Sequence, residues 1–397
     1  MHVIREIKEN LYYIGKSDRN LQYFENSIPL DRGMSYNSYI YKGDVNILVD
    51  TCDVSVLDGY IENIKEVVKG EKIDYIIINH AEPDHTSSLK FVLNEFSEAK
   101  VICTMMASRI LTQFCGSEYK DRFIIVKENE ELELGENKFK FIMAPNVHWP
   151  EVMFTYDINN KVLFSADAFG GFGSLDGNVI DRDLDFNDKI INNYRKYYTN
   201  IIGKYGDQVI AAINKLADLQ IEMVCPLHSY VLTENIDLLL NKYKIWASYQ
   251  PEEDGVVIVY GSIYGNTENL CDFVANELSK KGVRNIKMYD VNKISDADLI
   301  SETYRYSKLV LASVTFNAGL FPPMRNYLEL LQEHKFQNRD VYLIQNGSWG
   351  VMSGKVMKEI LTKMKNMRVS DTMITFKSKA NDETIESVKK LVEDIVK

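Results

Sequence analysis

From residue 256 onward the chain alternates five short apolar runs with helical stretches: VVIVYGS, IKMYDV, KLVLASV, DVYLIQN and MITFKS. Few architectures satisfy that rhythm. Five βα units in about 140 residues predict a doubly wound parallel sheet. The rhythm begins after SYQPEEDG, 248–255, where Pro, three acids and Gly read as a linker. This predicts two domains, 1–250 and 254–397. A chain of 397 residues is also too long for one ordinary core.

Ahead of the linker the pattern differs. Strand-like runs cluster early (NLYYIG, SYNSYIYKG, VNILVDT) and again in the middle (FIIVKE, FKFIMAP, VMFTYDI, KVLFSADAF). Helical runs lie between and after them, with a long polar-faced stretch at 188–219. Two sheets covered by helices, a four-layer αββα sandwich, fit this order.

Composition narrows the class. A net charge of −11 makes nucleic acid a poor partner. The charge is unevenly shared: residues 254–397 carry 20 Lys and Arg against 18 Asp and Glu, a balance of +2, which leaves −13 on 1–253. No run of about 18 apolar residues occurs and the start, MHVIREIKEN, has no signal-peptide core, so no membrane role is expected. The cysteines Cys52, Cys103, Cys115, Cys225 and Cys271 are scattered, odd in number and form no CxxC. That pattern expects a reducing cytoplasm and no cysteine-held zinc or iron–sulfur cluster.

The chemistry concentrates in INHAEPDHTSS, 78–88. An apolar strand ends at His80, and a loop then offers Glu82, Asp84 and His85 before a helical run, SLKFVLNEF. Function collects on such strand-end loops because a rigid sheet positions them. His148 follows FKFIMAPNV, Asp167 follows KVLFSA and His228 follows EMVCPL, so three more strand ends offer ligand types. One such His alone reads as a solvated loop residue; the whole constellation does not. Three His (80, 148, 228) and three acids (Glu82, Asp84, Asp167) exceed one tetrahedral zinc site. They suit two metals with Asp167 bridging, and the carboxylates favour iron, or manganese, over zinc.

In this sequence HxExDH, followed by His, Asp and His at strand ends, resembles the HxHxDH signature of the metallo-β-lactamase fold. Glu82 stands where that signature has its second His, which is similar to the flavodiiron proteins (A-type flavoproteins). The flanks HAEPDHTSS, HWPE (148–151), SADAFG (165–170) and CPLHS (225–229) agree with that family. The resemblance implies one iron on His80, Glu82, His148 and Asp167, and a second on Asp84, Asp167 and His228. It sets His85 aside as a ligand of hydrolase relatives, so His85→Ala is expected to leave metal content largely intact. One departure is visible: many members carry a His ahead of the TYN strand, and FENSIPLDRGMSYNSYI has none. Tyr197 and Tyr198, in a helical run, read as core packing.

In the second domain, three loops at strand ends face one ligand site, where a doubly wound sheet binds. The first is Ser262, Ile263, Tyr264, Gly265, Asn266 and Thr267, between a strand and a helix N-terminus, suited to a phosphate. The second is Ser313, Val314, Thr315, Phe316, Asn317, Ala318 and Gly319; the third is Asn346, Gly347, Ser348, Trp349 and Gly350. Trp349 and Tyr264 could flank a flat ring. No GxGxxG or GKS/T occurs, which excludes a dinucleotide fold and a P-loop. Together the loops resemble flavodoxin and imply FMN.

The family resemblance covers the whole chain. It implies an oxidoreductase that passes electrons from an external donor, rubredoxin or a deazaflavin, through FMN to a di-iron site. The substrates would be O2, reduced to water, or NO, reduced to N2O. It also implies a head-to-tail homodimer, or a dimer of dimers. The rivals are a di-zinc hydrolase with an appended flavodoxin domain and an FMN electron carrier with a structural metal domain. Glu82 argues against the first, and the intact set of six ligands against the second.

Overall fold

Runs rich in β-branched and aromatic residues become strands in the first half of the chain, and most are too short to stand without the sheet beside them. In the computed structural model, which describes residues 2–397, seven of them form one sheet. Its order is Arg5–Lys8, Leu11–Tyr13, Tyr39–Tyr41, Ile47–Val49, Tyr75–Ile77, Lys100–Thr104 and Phe123–Val126. The first four pair antiparallel and the last four parallel. A second sheet of five runs Glu131–Leu134, Asn137–Met143, Met153–Asp157, Val162–Phe164 and Met223–Cys225. Only its last pair is parallel.

The inner faces of the two sheets share one core, with Tyr39, Tyr41, Val49 and Ile77 from the first and Phe139, Phe141, Val162 and Phe164 from the second. Tyr39 meets Phe164 edge-on at 5.5 Å, and Tyr41 meets Phe139 at 5.6 Å. Their buried hydroxyls are satisfied: Tyr39 donates to the carbonyl of Pro226 at 2.6 Å and Tyr41 to Asp157 at 2.7 Å. The first of these ties the core directly to the loop that carries His228. Helices form the outer layers by amphipathic burial. Leu57–Val68 buries Tyr60, Ile64, Val67 and Val68. Met105–Cys115 starts where the Thr104 hydroxyl accepts from the Ala107 amide, and buries Ala107 and Leu111. This is the αββα sandwich of the metallo-β-lactamase kind.

The second unit is a parallel sheet ordered Ile286–Asp290, Glu253–Gly261, Tyr306–Phe316, Asp340–Asn346, Arg368–Phe376. With strands numbered in chain order that is 2-1-3-4-5, the flavodoxin order. Every neighbouring pair is parallel. Two cores, one on each face, hold the helices against it.

The chain divides between Lys244 and Ile245, inside the helix Ile236–Ala247, ahead of the segment read as a linker. That segment belongs to the second unit. Tyr249 is buried, and the guanidinium of Arg339, itself buried, donates to the carbonyls of Tyr249, Tyr304 and Tyr306 at 2.7 Å each. Residues 253–255 already lie in the first strand. Composition marks Pro, acids and Gly, but not the arginine ninety residues away that folds them in.

Candidate metal centre and flavin pocket

The ligand candidates leave the sheets at one rim. Residues after Tyr75–Ile77 carry His80, and Pro83 then starts a helical turn, Pro83–Thr86, with Glu82 as its N-cap. The sequence reads this segment as a loop; proline at the first helical position and the Thr86 hydroxyl, which donates to the Ala81 and Glu82 carbonyls, make it a turn of helix. His148 follows Asn137–Met143, Asp167 follows Val162–Phe164 and His228 follows Met223–Cys225. The last two loops are clamped together, the Leu227 amide donating to the Ala166 carbonyl at 3.0 Å. The Asn37 side chain donates to the carbonyls of Pro226 and Ser229. Ala166, Phe169 and Ser229 hold φ of 49°, 65° and 68°. Non-glycine residues kept in the left-handed region cost on the order of 1–3 kcal/mol each and gather where side chains must be aimed.

All six candidates converge, in two groups. In the first, Glu82 Oε2 lies 3.0 Å from His80 Nε2 and 3.1 Å from His148 Nε2. Asp167 Oδ2 lies 3.0 Å from His148 Nε2 and 3.5 Å from His80 Nε2. In the second, Asp84 Oδ2 lies 3.2 Å from His228 Nε2, and Asp167 Oδ1 lies 3.6 Å from it. Asp167 thus turns one oxygen to each group. His85, which the sequence reading sets aside, also points in: its Nε2 is 3.1 Å from Asp167 Oδ1 and 3.3 Å from Asp84 Oδ2. Each group therefore offers two imidazoles, one carboxylate of its own and a share of Asp167.

The donor chemistry fits two cations. Both oxygens of Asp84 and Nε2 of His228 are buried without a hydrogen-bond partner among the described residues. Such groups are costly unless a metal satisfies them. Burial alone would lower the basicity of His148, but Asp167 and Glu82 outweigh it and lift it to about 9. Burial would raise Asp167, yet the surrounding imidazoles hold it well below the carboxylate range. Two of the imidazoles are oriented from behind: His80 Nδ1 by Glu151 at 2.8 Å and His228 Nδ1 by the Ser35 carbonyl at 2.6 Å.

Apolar rings wall the second group. Phe24 and Tyr197 each stand 5.6 Å from the His228 ring, and Phe172 packs on both. Tyr197 and Tyr198 are fully buried, and the Tyr197 hydroxyl has no hydrogen-bond partner among the described residues. Tyr197 is therefore more than packing, because its ring touches a ligand candidate. Glu25 is a residue that sequence reasoning missed. It lies in the stretch that lacks a His, at the tip of the hairpin Tyr23–Phe24 and Ile28–Pro29, with φ of 48°. Its carboxyl lies near Glu82, and desolvation followed by the charge of Glu82 pushes it up to about 7. Nothing in a turn glutamate's local sequence announces that proximity.

In the second unit a cavity of about 410 Å³ is lined by Ser262, Ile263, Tyr264, Asn266 and Thr267, by Val314 and Thr315, and by all of 346–350. Gly265, at φ 84°, caps the helix Asn266–Lys280, whose first two residues line the cavity, so a helix N-terminus suited to a phosphate lies at it. A side chain at Gly347 would meet the Gly350 carbonyl oxygen at 2.0 Å, so the tight loop under Trp349 needs glycine. Trp349 and Tyr264 are 82% and 90% exposed. Covering such a ring with a flat ligand gains roughly 1–3 kcal/mol. Asn346 donates to the Thr267 hydroxyl at 3.3 Å, and its own oxygen is buried without a partner among the described residues.

The middle loop differs from expectation. Ser313, Val314, Thr315 and Phe316 are still strand, and Asn317 and Ala318, both at positive φ, turn the chain back to pair Gly319–Leu320 antiparallel to it. The β-branched run VT prefers extension, so only Val314 and Thr315 of this loop reach the cavity. Ser378, not foreseen, lines it too and hydrogen-bonds to Ser348 at 2.9 Å.

Comparisons with known proteins match both units. The model of the ODP family beta lactamase matches residues 34–229, and the flavodoxin model matches 258–389. The flavo-diiron protein FprA2 of Clostridium acetobutylicum is 28% identical over 369 residues, covering 92% of this chain and 91% of the relative. The chain belongs to the flavodiiron protein family. The anaerobic nitric oxide reductase flavorubredoxin of Vibrio vulnificus is also 28% identical, over 88% of this flavodiiron chain and 71% of the relative. Among solved structures, a point mutant of the flavo di-iron protein of Thermotoga maritima superposes with a TM-score of 0.89 at 25% identity, covering 100% of this chain and 99% of that one.

Proposed function

We propose that this flavodiiron protein is an oxidoreductase that carries electrons from an external donor through FMN to a pair of irons, reducing O2 to water, NO to N2O, or both. The observation that carries the reading is Asp167, whose two oxygens serve two ligand groups in a chain that also has a flavin pocket. In this reading His80, Glu82, His148 and Asp167 hold one iron, and Asp84, His85, Asp167 and His228 hold the other. Relatives named for nitric oxide reduction and for a di-iron site support it.

When bound, the irons supply electrons and Lewis acidity, and FMN accepts electrons singly or in pairs and releases them one at a time. The chain's own residues do the rest. Three buried carboxylates offset most of the metal charge. Phe24, Phe172 and Tyr197 exclude water beside His228, and the Tyr197 hydroxyl is a donor with no other buried partner. O2 needs four electrons and four protons to become two waters; two NO need two of each to become N2O and water. The Glu25 carboxyl, at the rim beside Glu82, stands where protons from solvent would enter.

In this reading the electron donor is rubredoxin or a deazaflavin. We place the protein in the cytoplasm, and among the described residues no helix is long and apolar enough to cross a membrane. The working unit in this reading is a head-to-tail homodimer, alone or paired into a tetramer. Mixing a variant that lacks metal with one that lacks FMN, with subunit exchange, tests it: activity returns if transfer runs between chains. The reading as a whole is tested by metal and flavin analysis of anaerobically purified protein. Two irons and one FMN per chain are expected; zinc at that level with full hydrolytic activity would favour the hydrolase instead.

A further inference from the structure

We propose that Glu151 is a positioning residue whose buried charge, acting through His80, makes the first metal position the more electron-rich of the two. The iron held by His80, Glu82, His148 and Asp167 would then give up the first electron of the reduced pair. This rests on the di-iron reading above.

The direct ligands alone give no such bias, since each position has two imidazoles, one carboxylate of its own and a share of Asp167. The difference lies behind the imidazoles. His80 turns Nε2 to the cluster, so Nδ1 carries the proton and donates it to Glu151 Oε1 at 2.8 Å. The Ala81 amide donates to the same oxygen at 2.9 Å, and the Thr104 hydroxyl pins the Glu151 carbonyl at 3.1 Å. Glu151 is 2% exposed, and Oε2 has no hydrogen-bond partner among the described residues.

A neutral acceptor would orient His80 equally well. The Ser35 carbonyl does so for His228 at 2.6 Å, and His85 Nδ1 is buried with no partner among the described residues. Burying a carboxylate with one oxygen unpartnered is the more expensive way to fix a ring. What the carboxylate adds is charge. It draws the Nδ1 proton, and the imidazole becomes a stronger donor at Nε2. Among the described residues only the first position has a carboxylate hydrogen-bonded to Nδ1 of a ligand imidazole; the buried Asp50 lies near His85 but makes no hydrogen bond to its ring. Glu25 lies on the same side, through Glu82, so its contribution must be separated.

The test is an anaerobic redox titration of the iron-loaded holoprotein, followed by electron paramagnetic resonance and Mössbauer spectroscopy. Wild type should pass through a one-electron-oxidised stage with one iron ferric. Glu151→Gln keeps shape and an acceptor oxygen but not the charge. It should leave both irons bound and raise only the first potential. At fixed potential the ferrous to ferric ratio should rise at least tenfold, 59 mV for one electron. Glu25→Gln should shift it less. If Glu151→Gln loses iron or fails to fold, Glu151→Asp against Glu151→Asn makes the same comparison, with only Asp retaining the low potential. The proposal is overturned if wild type shows no one-electron stage, or if the charge-neutral variant leaves the potentials unchanged or moves both equally. Wild type without an iron pair would overturn the di-iron reading, and this inference with it.

Discussion

His85 Nε2 stands 3.1 Å from Asp167 Oδ1, inside the cluster that its neighbours Glu82 and Asp84 form. The family resemblance set His85 aside, but the geometry places it among the ligand candidates of the second position. His85→Ala should therefore lower bound iron from two toward one per chain while FMN stays bound. Unchanged iron would restore the original expectation.

Asp167 reaches both groups, with 3.0 Å to His148 and 3.1 Å to His85. Asp167→Ala should empty both positions, whereas His228→Ala should spare the first. Equal losses in the two variants, by metal analysis, would contradict a bridge.

Metal uptake should depend on pH. In the metal-free chain His148 is lifted to about 9, against burial, by Asp167 and Glu82. Raised basicity means that His148 keeps its proton at neutral pH and that a metal must displace it. Affinity should rise up to about tenfold per pH unit for that proton, then level off above about 9. The stability His148 gives the metal-free fold has the opposite sign: present below its ordinary range near 6.5, it is lost as pH rises through about 9. Chelator competition from pH 6 to 9 measures the first, and a flat profile would refute it.

Thr267 is fully buried at the start of the helix Asn266–Lys280. Thr267→Ala should weaken FMN binding by about 1–3 kcal/mol through the lost bond to a charged phosphate. A titration of stripped protein with FMN reads this directly.

Residues 254–397 carry +2 and residues 1–253 carry −13. An acidic donor protein should then reduce the flavin more slowly as salt rises. A rate that is the same at low and high ionic strength would count against this steering.

Much of the site was legible because its grammar is local. HxExDH and three strand-end residues name the groups that converge, and Gly, Asn, Ser and Trp mark the loops that line the second unit's cavity. What escaped was set by distant partners or by backbone geometry. Ser378 reaches the flavin pocket because the fifth strand ends beside Ser348. Glu25 lies near Glu82 because Glu25 and Asn26, both at positive φ, turn the hairpin there. Glu151 sat in the quoted HWPE, but only the fold puts it behind His80, seventy-one residues earlier in the chain. SVTFNAG looked like a loop because of its Asn and Gly, whereas its β-branched half extends the strand.

The most direct test of the central claim is the reoxidation of reduced FMN by NO and by O2, in wild type and in Asp167→Ala, followed anaerobically by stopped flow. The account predicts that at least one gas reoxidises wild-type flavin roughly a hundredfold faster than the variant's, a barrier difference near 2.7 kcal/mol. The product should be one N2O per two NO, or water without free peroxide. Equal reoxidation rates in the two proteins, with wild type fully loaded with iron, would contradict it.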